Sequence, residues 1–152
     1  MKIAAATPSD IEPVVSCWVA AFASDPITGF LLDTGSSYQE RLRQFFSLLM
    51  RARLALNMPV LVASDATAVV GATMGYKTVC PSWPETISDE WDHFEKAVPG
   101  LSDRIAIYDE IAERCKPSTP HYYLGVIGTD PSKHGLGIGT KLLRSFCDRS
   151  AS

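Results

Sequence analysis

The residues with the clearest chemical potential lie near the C-terminal end, in the stretch KHGLGIGTKLLRSFCD. Gly135, Gly137 and Gly139 lead straight into a helical pattern in which Leu142 and Phe146 lie one turn apart and face inward with Ile138. The preceding HYYLGVIGTDP reads as a strand, His121 to Thr129, stopped by Asp130 and Pro131, because proline removes a donor and restricts the residue before it. A strand, a glycine turn and a helix start are the parts of an anion site. Amides at a helix start are unpaired, the helix dipole adds positive potential, and glycine lets phosphate oxygens approach the backbone. Lys133 and His134 before the turn, and Lys141 and Arg144 after it, offer charge; each reads equally well as an ordinary surface residue.

Two familiar phosphate loops fail on the letters. In the Walker A order a lysine follows the last glycine directly, whereas here Thr140 separates Gly139 from Lys141. The dinucleotide fingerprint needs a third glycine three residues after Gly139, where Leu142 stands, and an acidic residue about 20 further on, past Ser152.

A third pattern fits. The segment resembles motif A of the GCN5-related N-acetyltransferases, Gln/Arg-x-x-Gly-x-Gly/Ala after a strand that ends in a valine-x-proline element. His134 takes the Gln/Arg position, Gly137 the first required glycine and Gly139 the last, while Thr129-Asp130-Pro131 replaces valine-x-proline. ATPSDIEPVVSCWVAAFASDP is similar to the first strand and helix of that family. The resemblance implies an acyl-CoA N-acyltransferase-like α/β fold with a mixed sheet. It implies that the turn, His134, Gly135, Leu136, Gly137, Ile138, Gly139 and Thr140, cradles the pyrophosphate of coenzyme A, and that the strand backbone at Ile127, Gly128 and Thr129 holds the pantetheine arm. It implies transfer of acetyl from acetyl-CoA to a primary amine of a small molecule or peptide, directly and without an acyl-enzyme. A non-catalytic acyl-CoA-binding or regulatory domain derived from such an enzyme is the alternative.

A base must take the amine's proton. His121 and Tyr123 share one face by the two-residue period of a strand. The family places acceptor-facing groups on this strand, which makes Tyr123 and His121 the catalytic candidates; Tyr123 stands nearer the thioester, and His121 has the better resting pKa for a base. By the same resemblance the segment from Asp25 to Phe30 admits the acceptor. The family continues beyond this helix with another strand, a helix and a final hairpin, whereas the sequence runs thirteen residues past Gly139. The strand before the glycines is therefore expected to keep an open edge, and the chain is expected either to form a homodimer covering that edge or to be poorly stable alone, with weak catalysis in both cases.

The elements that must position these residues follow from periodicity. Lys2 to Ala6 reads as a first strand, with Ser9 or Asp10 capping the helix that follows, Ser9 with Glu12 as a capping box. Ile11, Val14, Val15, Trp18, Val19 and Phe22 repeat every 3.6 residues, until Ser24-Asp25-Pro26 ends the helix. Tyr38 to Leu56 is a second helix with Leu42, Phe45, Phe46 and Leu49 inward. Its Arg41, Arg43, Arg51 and Arg53 read as a solvated face rather than a ligand site. Pro59–Ser64 and Val69–Val79 form a hairpin, where Gly71 and Gly75 mark a bulge or a tight contact. A helical insertion at about 81–120 holds helices at Ser88–Val98 and Leu101–Cys115.

With 152 residues, one domain is expected, and 46% hydrophobic residues suffice for a core. The net charge of -3 does not attract nucleic acid. No apolar run suggests a signal peptide or a membrane span. Cys17, Cys80, Cys115 and Cys147 are scattered, which points to structural thiols, a cytoplasmic setting and no metal site.

Overall fold

The computed structural model describes residues 1–151. Its elements are β1 (Lys2–Ala5), α1 (Ile11–Ala21), α2 (Pro26–Leu32), α3 (Tyr38–Ala55), β2 (Val60–Ser64), β3 (Val69–Lys77), α4 (Glu85–Ala97), α5 (Leu101–Cys115), β4 (Tyr122–Thr129) and α6 (Ile138–Ala151). The strands form one sheet in the order β1-β2-β3-β4. The α/β class holds, with a difference in the sheet: each described pairing is antiparallel, where a mixed sheet was expected. A parallel pair needs a strand arriving after a helical crossover, and among the described residues no strand follows α6.

Helices cover both faces of the sheet. On one face, Val14, Val15 and Trp18 of α1 and Leu42, Phe46 and Met50 of α3 pack on Val60, Val62, Ala72 and Met74. The Trp18 indole donates to the Ala72 carbonyl at 3.2 Å, which satisfies its one polar atom inside the core. The leucine and phenylalanine stripe of α3 is thus core; burying one such side chain stabilises the fold by about 1.5–3 kcal/mol. On the other face, Ile138, Leu142 and Phe146 of α6 close over Leu61, Ala63 and Val70. Phe94, Val98 and Leu101 join α4 and α5 to the first core. The Arg104 guanidinium donates to the carbonyls of Leu31 (3.0 Å) and Pro99 (2.8 Å), tying α5 to α2.

Two local expectations change. The N-cap of α1 falls on Asp10, one of the two positions expected, and its carboxylate accepts from the Thr7 N–H at 2.8 Å, so the Ser9–Glu12 box is not used. Ser24-Asp25-Pro26 does end α1, but it also starts α2. Asp25 accepts from the Thr28 amide (2.9 Å) and hydroxyl (3.0 Å), with Pro26 in the first turn, as an N-cap should.

The β3–β4 register carries the feature that shapes the site. Met74 faces Val126 and Gly75 faces Leu124, so Gly125 is an extra residue in β4. Such a bulge reverses the alternation of side chains across the sheet. Tyr122 and Leu124 accordingly pack with α6, while Val126 packs with the α1–α3 core. Gly75 is the tight contact: a Cβ there would lie against the Tyr123 carbonyl oxygen and 2.5 Å from the Phe146 ring.

Candidate functional site

The glycine turn is open. Gly135 and Gly137 adopt φ of 84° and 78°, the left-handed region that favours glycine. A Cβ at either position would meet nothing within 4 Å, and one at Gly139 would meet only Thr129, at 3.9 Å. The turn starts from Asp130, whose carboxylate accepts from the Ser132 amide (2.9 Å) and hydroxyl (2.8 Å). Those bonds hold the Asp130 carboxyl below its ordinary range. The Asp130 amide donates to the Val70 carbonyl at 2.9 Å, so the turn is anchored to β3.

From Lys133 the chain leaves the sheet. The first bond of α6 runs from the Lys141 amide to the Gly137 carbonyl at 3.1 Å. None of the amides from His134 to Thr140 donates to a backbone or side-chain acceptor among the described residues. These amides stand at the start of a 14-residue helix, where the helix dipole adds positive potential. Lys141 and Arg144 are exposed on the first turns of α6, while Lys133 lies 3.9 Å from Asp65 across the turn.

Next to the turn, β4 has a free edge. The Asp130–Val70 bond sets the phase of the antiparallel ladder, and alternation then directs the N–H and C=O of Ile127 and Thr129 away from β3. Gly128 faces the opposite way, into the core: a Cβ there would lie 2.8 Å from Trp18 and 2.9 Å from Phe22.

Tyr123 sits at the bulge. Its ring edge lies 3.5 Å from where a Gly125 Cβ would be. Its hydroxyl is 3.1 Å from that of Tyr108 on α5, and its ring packs against Tyr76 of β3 at 5.1 Å between centroids. The hydrogen bond with Tyr123, followed by burial, pushes the Tyr108 phenol well above its ordinary pKa; burial does the same for Tyr76. Both stay neutral through physiological pH. His121 precedes β4, and its Nδ1 lies 2.7 Å from the Thr119 carbonyl oxygen. It lines a groove with Phe146, Cys147 and Ser150 of α6 rather than joining the tyrosines.

The Tyr108–Tyr123 contact has no local signal in the sequence, because it joins α5 to β4. The sequence pattern groups Arg53 with the other arginines of α3. The Arg53 guanidinium instead lies over the Tyr76 ring, at 4.3 Å, and 5.8 Å from the Trp83 ring centre. Asp25 uses one carboxylate oxygen, Oδ2, to cap α2. Of the thiols read as structural, Cys147 is exposed; Cys17 is buried, which pushes its thiol up to about 11.

The last strand of the sheet runs through a glycine turn into a helix, and among the described residues one edge of that strand is unpaired. No protein-family model matches the sequence, and no curated protein matches it. Solved structures do. A Corynebacterium glutamicum structure described as histone acetyltransferase HPA2 and related acetyltransferase is 26% identical, with a TM-score of 0.71 over 97% of this chain and 70% of that one. A GNAT family acetyltransferase from Brucella melitensis in complex with acetyl-CoA is 16% identical, with a TM-score of 0.53, over 99% of this chain and 68% of that one. A putative acetyltransferase from Salmonella typhimurium, yncA, with its cofactor acetyl-CoA, is 19% identical, with a TM-score of 0.52, over 99% and 63%. The chain has the GNAT acetyltransferase fold, and it spans 63–70% of the length of these three structures.

Proposed function

We propose that the chain binds coenzyme A thioesters at the 134–140 turn and transfers the acetyl group of acetyl-CoA to a primary amine. The observation that carries this reading is the run of unpaired amides from His134 to Thr140, at the start of α6 and beside the open edge of β4. When bound, acetyl-CoA supplies an acetyl group activated as a thioester.

The chain's own residues then have distinct tasks. The turn amides and the helix dipole take the negative charge of the pyrophosphate, with Lys141 and Arg144 adding positive potential. The free N–H and C=O groups of Ile127 and Thr129 hold an extended amide-bearing arm as a neighbouring strand would. His134 contributes its amide, and its ring is not needed. Tyr123, beside the Gly125 bulge, carries a hydroxyl that can hand on a proton, with Tyr108 fixing its direction. His121 is the second candidate for proton transfer. The Thr119 carbonyl can only accept, so Nδ1 carries the proton and Nε2 is left as the basic nitrogen. The free edge of β4 also favours self-association, which light scattering across a concentration series reads directly.

Calorimetry with coenzyme A and acetyl-CoA tests the binding half, and thiol release with a panel of primary amines tests the transfer half. Saturable binding with no thiol release for any amine would leave an acyl-CoA-binding domain. A folded chain that binds neither ligand would overturn the reading.

A further inference from the structure

Arg53 differs from the other arginines of its helix. Arg41 donates to the Leu32 carbonyl at 2.9 Å, Arg43 lies 3.3 Å from the Ser16 hydroxyl and 3.9 Å from Glu12, and Arg51 makes a two-point pair with Glu90 at 2.7 and 2.9 Å. The Arg53 guanidinium has no hydrogen bond and no ion pair among the described residues. Its Nε is buried without a partner, whereas its two terminal nitrogens are not closed off in this way. Two aromatic faces, Tyr76 and Trp83, hold the plane in place. Burial lowers its pKa, and no carboxylate acts on it to oppose that shift.

A guanidinium taken partly out of water and left without an acceptor is costly. Aromatic faces offset some of that cost, but they leave its in-plane N–H donors unused. A flat fork of donors suits an anion with two oxygens in one plane, a carboxylate or a phosphate, because both oxygens can accept in parallel; of the two, the carboxylate matches the single positive charge of Arg53. The position is also connected to the transfer site. Arg53 stacks on Tyr76, Tyr76 packs on Tyr123, and Tyr123 lies along the bulge at Gly125.

We propose that Arg53 anchors a carboxylate on the acetyl acceptor, so that the substrate class is an amine that also bears a carboxylate, such as an amino acid. This deepens the acetyl-transfer reading and rests on it for the identity of the acceptor. It does not rest on it for the anion site itself.

The test uses the whole chain and two probes that differ only in the carboxylate, β-alanine and ethylamine, titrated with and without coenzyme A at about 0.15 M salt, where weak surface attraction is screened. The Arg53 Nε–H resonance and the Trp83 fluorescence are the readouts. Saturable changes are expected with β-alanine and none with ethylamine. Arg53→Gln should abolish the response, and Arg53→Lys, which keeps charge and bulk but loses the fork, should weaken it at least tenfold. Coenzyme A calorimetry on both variants should match the unaltered chain within about threefold. If the unaltered chain gives no saturable response, or the two probes respond alike, or Arg53→Lys binds as tightly as arginine, the proposal is wrong. Failure of coenzyme A to bind while β-alanine still saturates would instead overturn the acetyl-transfer reading and leave the carboxylate site standing.

Discussion

Glycine serves opposite ends in two regions of this molecule. In the sheet, Gly75 and Gly128 are glycines because nothing else fits: Phe146 and the Tyr123 carbonyl press on one, Trp18 and Phe22 on the other. In the turn after β4, Gly135 and Gly137 face empty space and are glycines because the backbone turns through positive φ. The first pair closes a core. The second pair holds open a row of amides with no partner among the described residues, where the proposed coenzyme A site would lie.

That contrast can be broken first by adding bulk to each region. Gly75→Val should cost about 1–3 kcal/mol or more through overpacking, lowering the urea midpoint strongly and weakening coenzyme A binding only as far as the folded fraction falls. Gly137→Val should do the reverse. Its left-handed backbone costs about 1–2 kcal/mol, a loss the core can absorb, while coenzyme A affinity falls at least a hundredfold by calorimetry. Comparable losses of stability and affinity in both variants would erase the distinction between the two regions.

The contrast was only partly legible in the sequence. The turn was readable because alternating glycines before a helix stripe state a backbone requirement locally. The ends of α5 were readable for the same reason, with Pro99-Gly100 on one side and Lys116-Pro117 on the other. The short helix α2 was missed because Asp25-Pro26 is both a stop and a start, and only Thr28 three residues beyond the cap signals the latter. The Gly125 bulge was invisible, since it depends on how β3 pairs with β4 and on nothing within either strand. Arg53 was indistinguishable from Arg41, Arg43 and Arg51, because what separates them is a neighbour on another element: Glu90 for Arg51, and two aromatic rings for Arg53.

Smaller changes sharpen the same comparison. Thr73 is fully buried, and its hydroxyl has no partner among the described residues. Thr73→Val keeps its shape and removes the stranded hydroxyl, so a gain of about 1 kcal/mol in urea unfolding is expected, with no change in ligand binding. Gly139 lies in the first turn of α6 with an ordinary φ, and Gly139→Ala should add up to about 1 kcal/mol of helix stability while coenzyme A still binds. On the proposed reading, in which His134 contributes only its amide, His134→Gln should leave coenzyme A affinity within about threefold of the unaltered chain. A hundredfold loss of turnover at unchanged affinity, the scale of a lost proton-transfer group, would show that assignment to be mistaken.

The most direct test of the central claim is calorimetry of coenzyme A against the unaltered chain and Gly137→Val side by side, with circular dichroism melts on the same samples. Saturable heat from the first and none from the second, with both folded, is the predicted result. No heat from the folded, unaltered chain, or equal heat from both, would contradict the assignment of the 134–140 turn as the coenzyme A site.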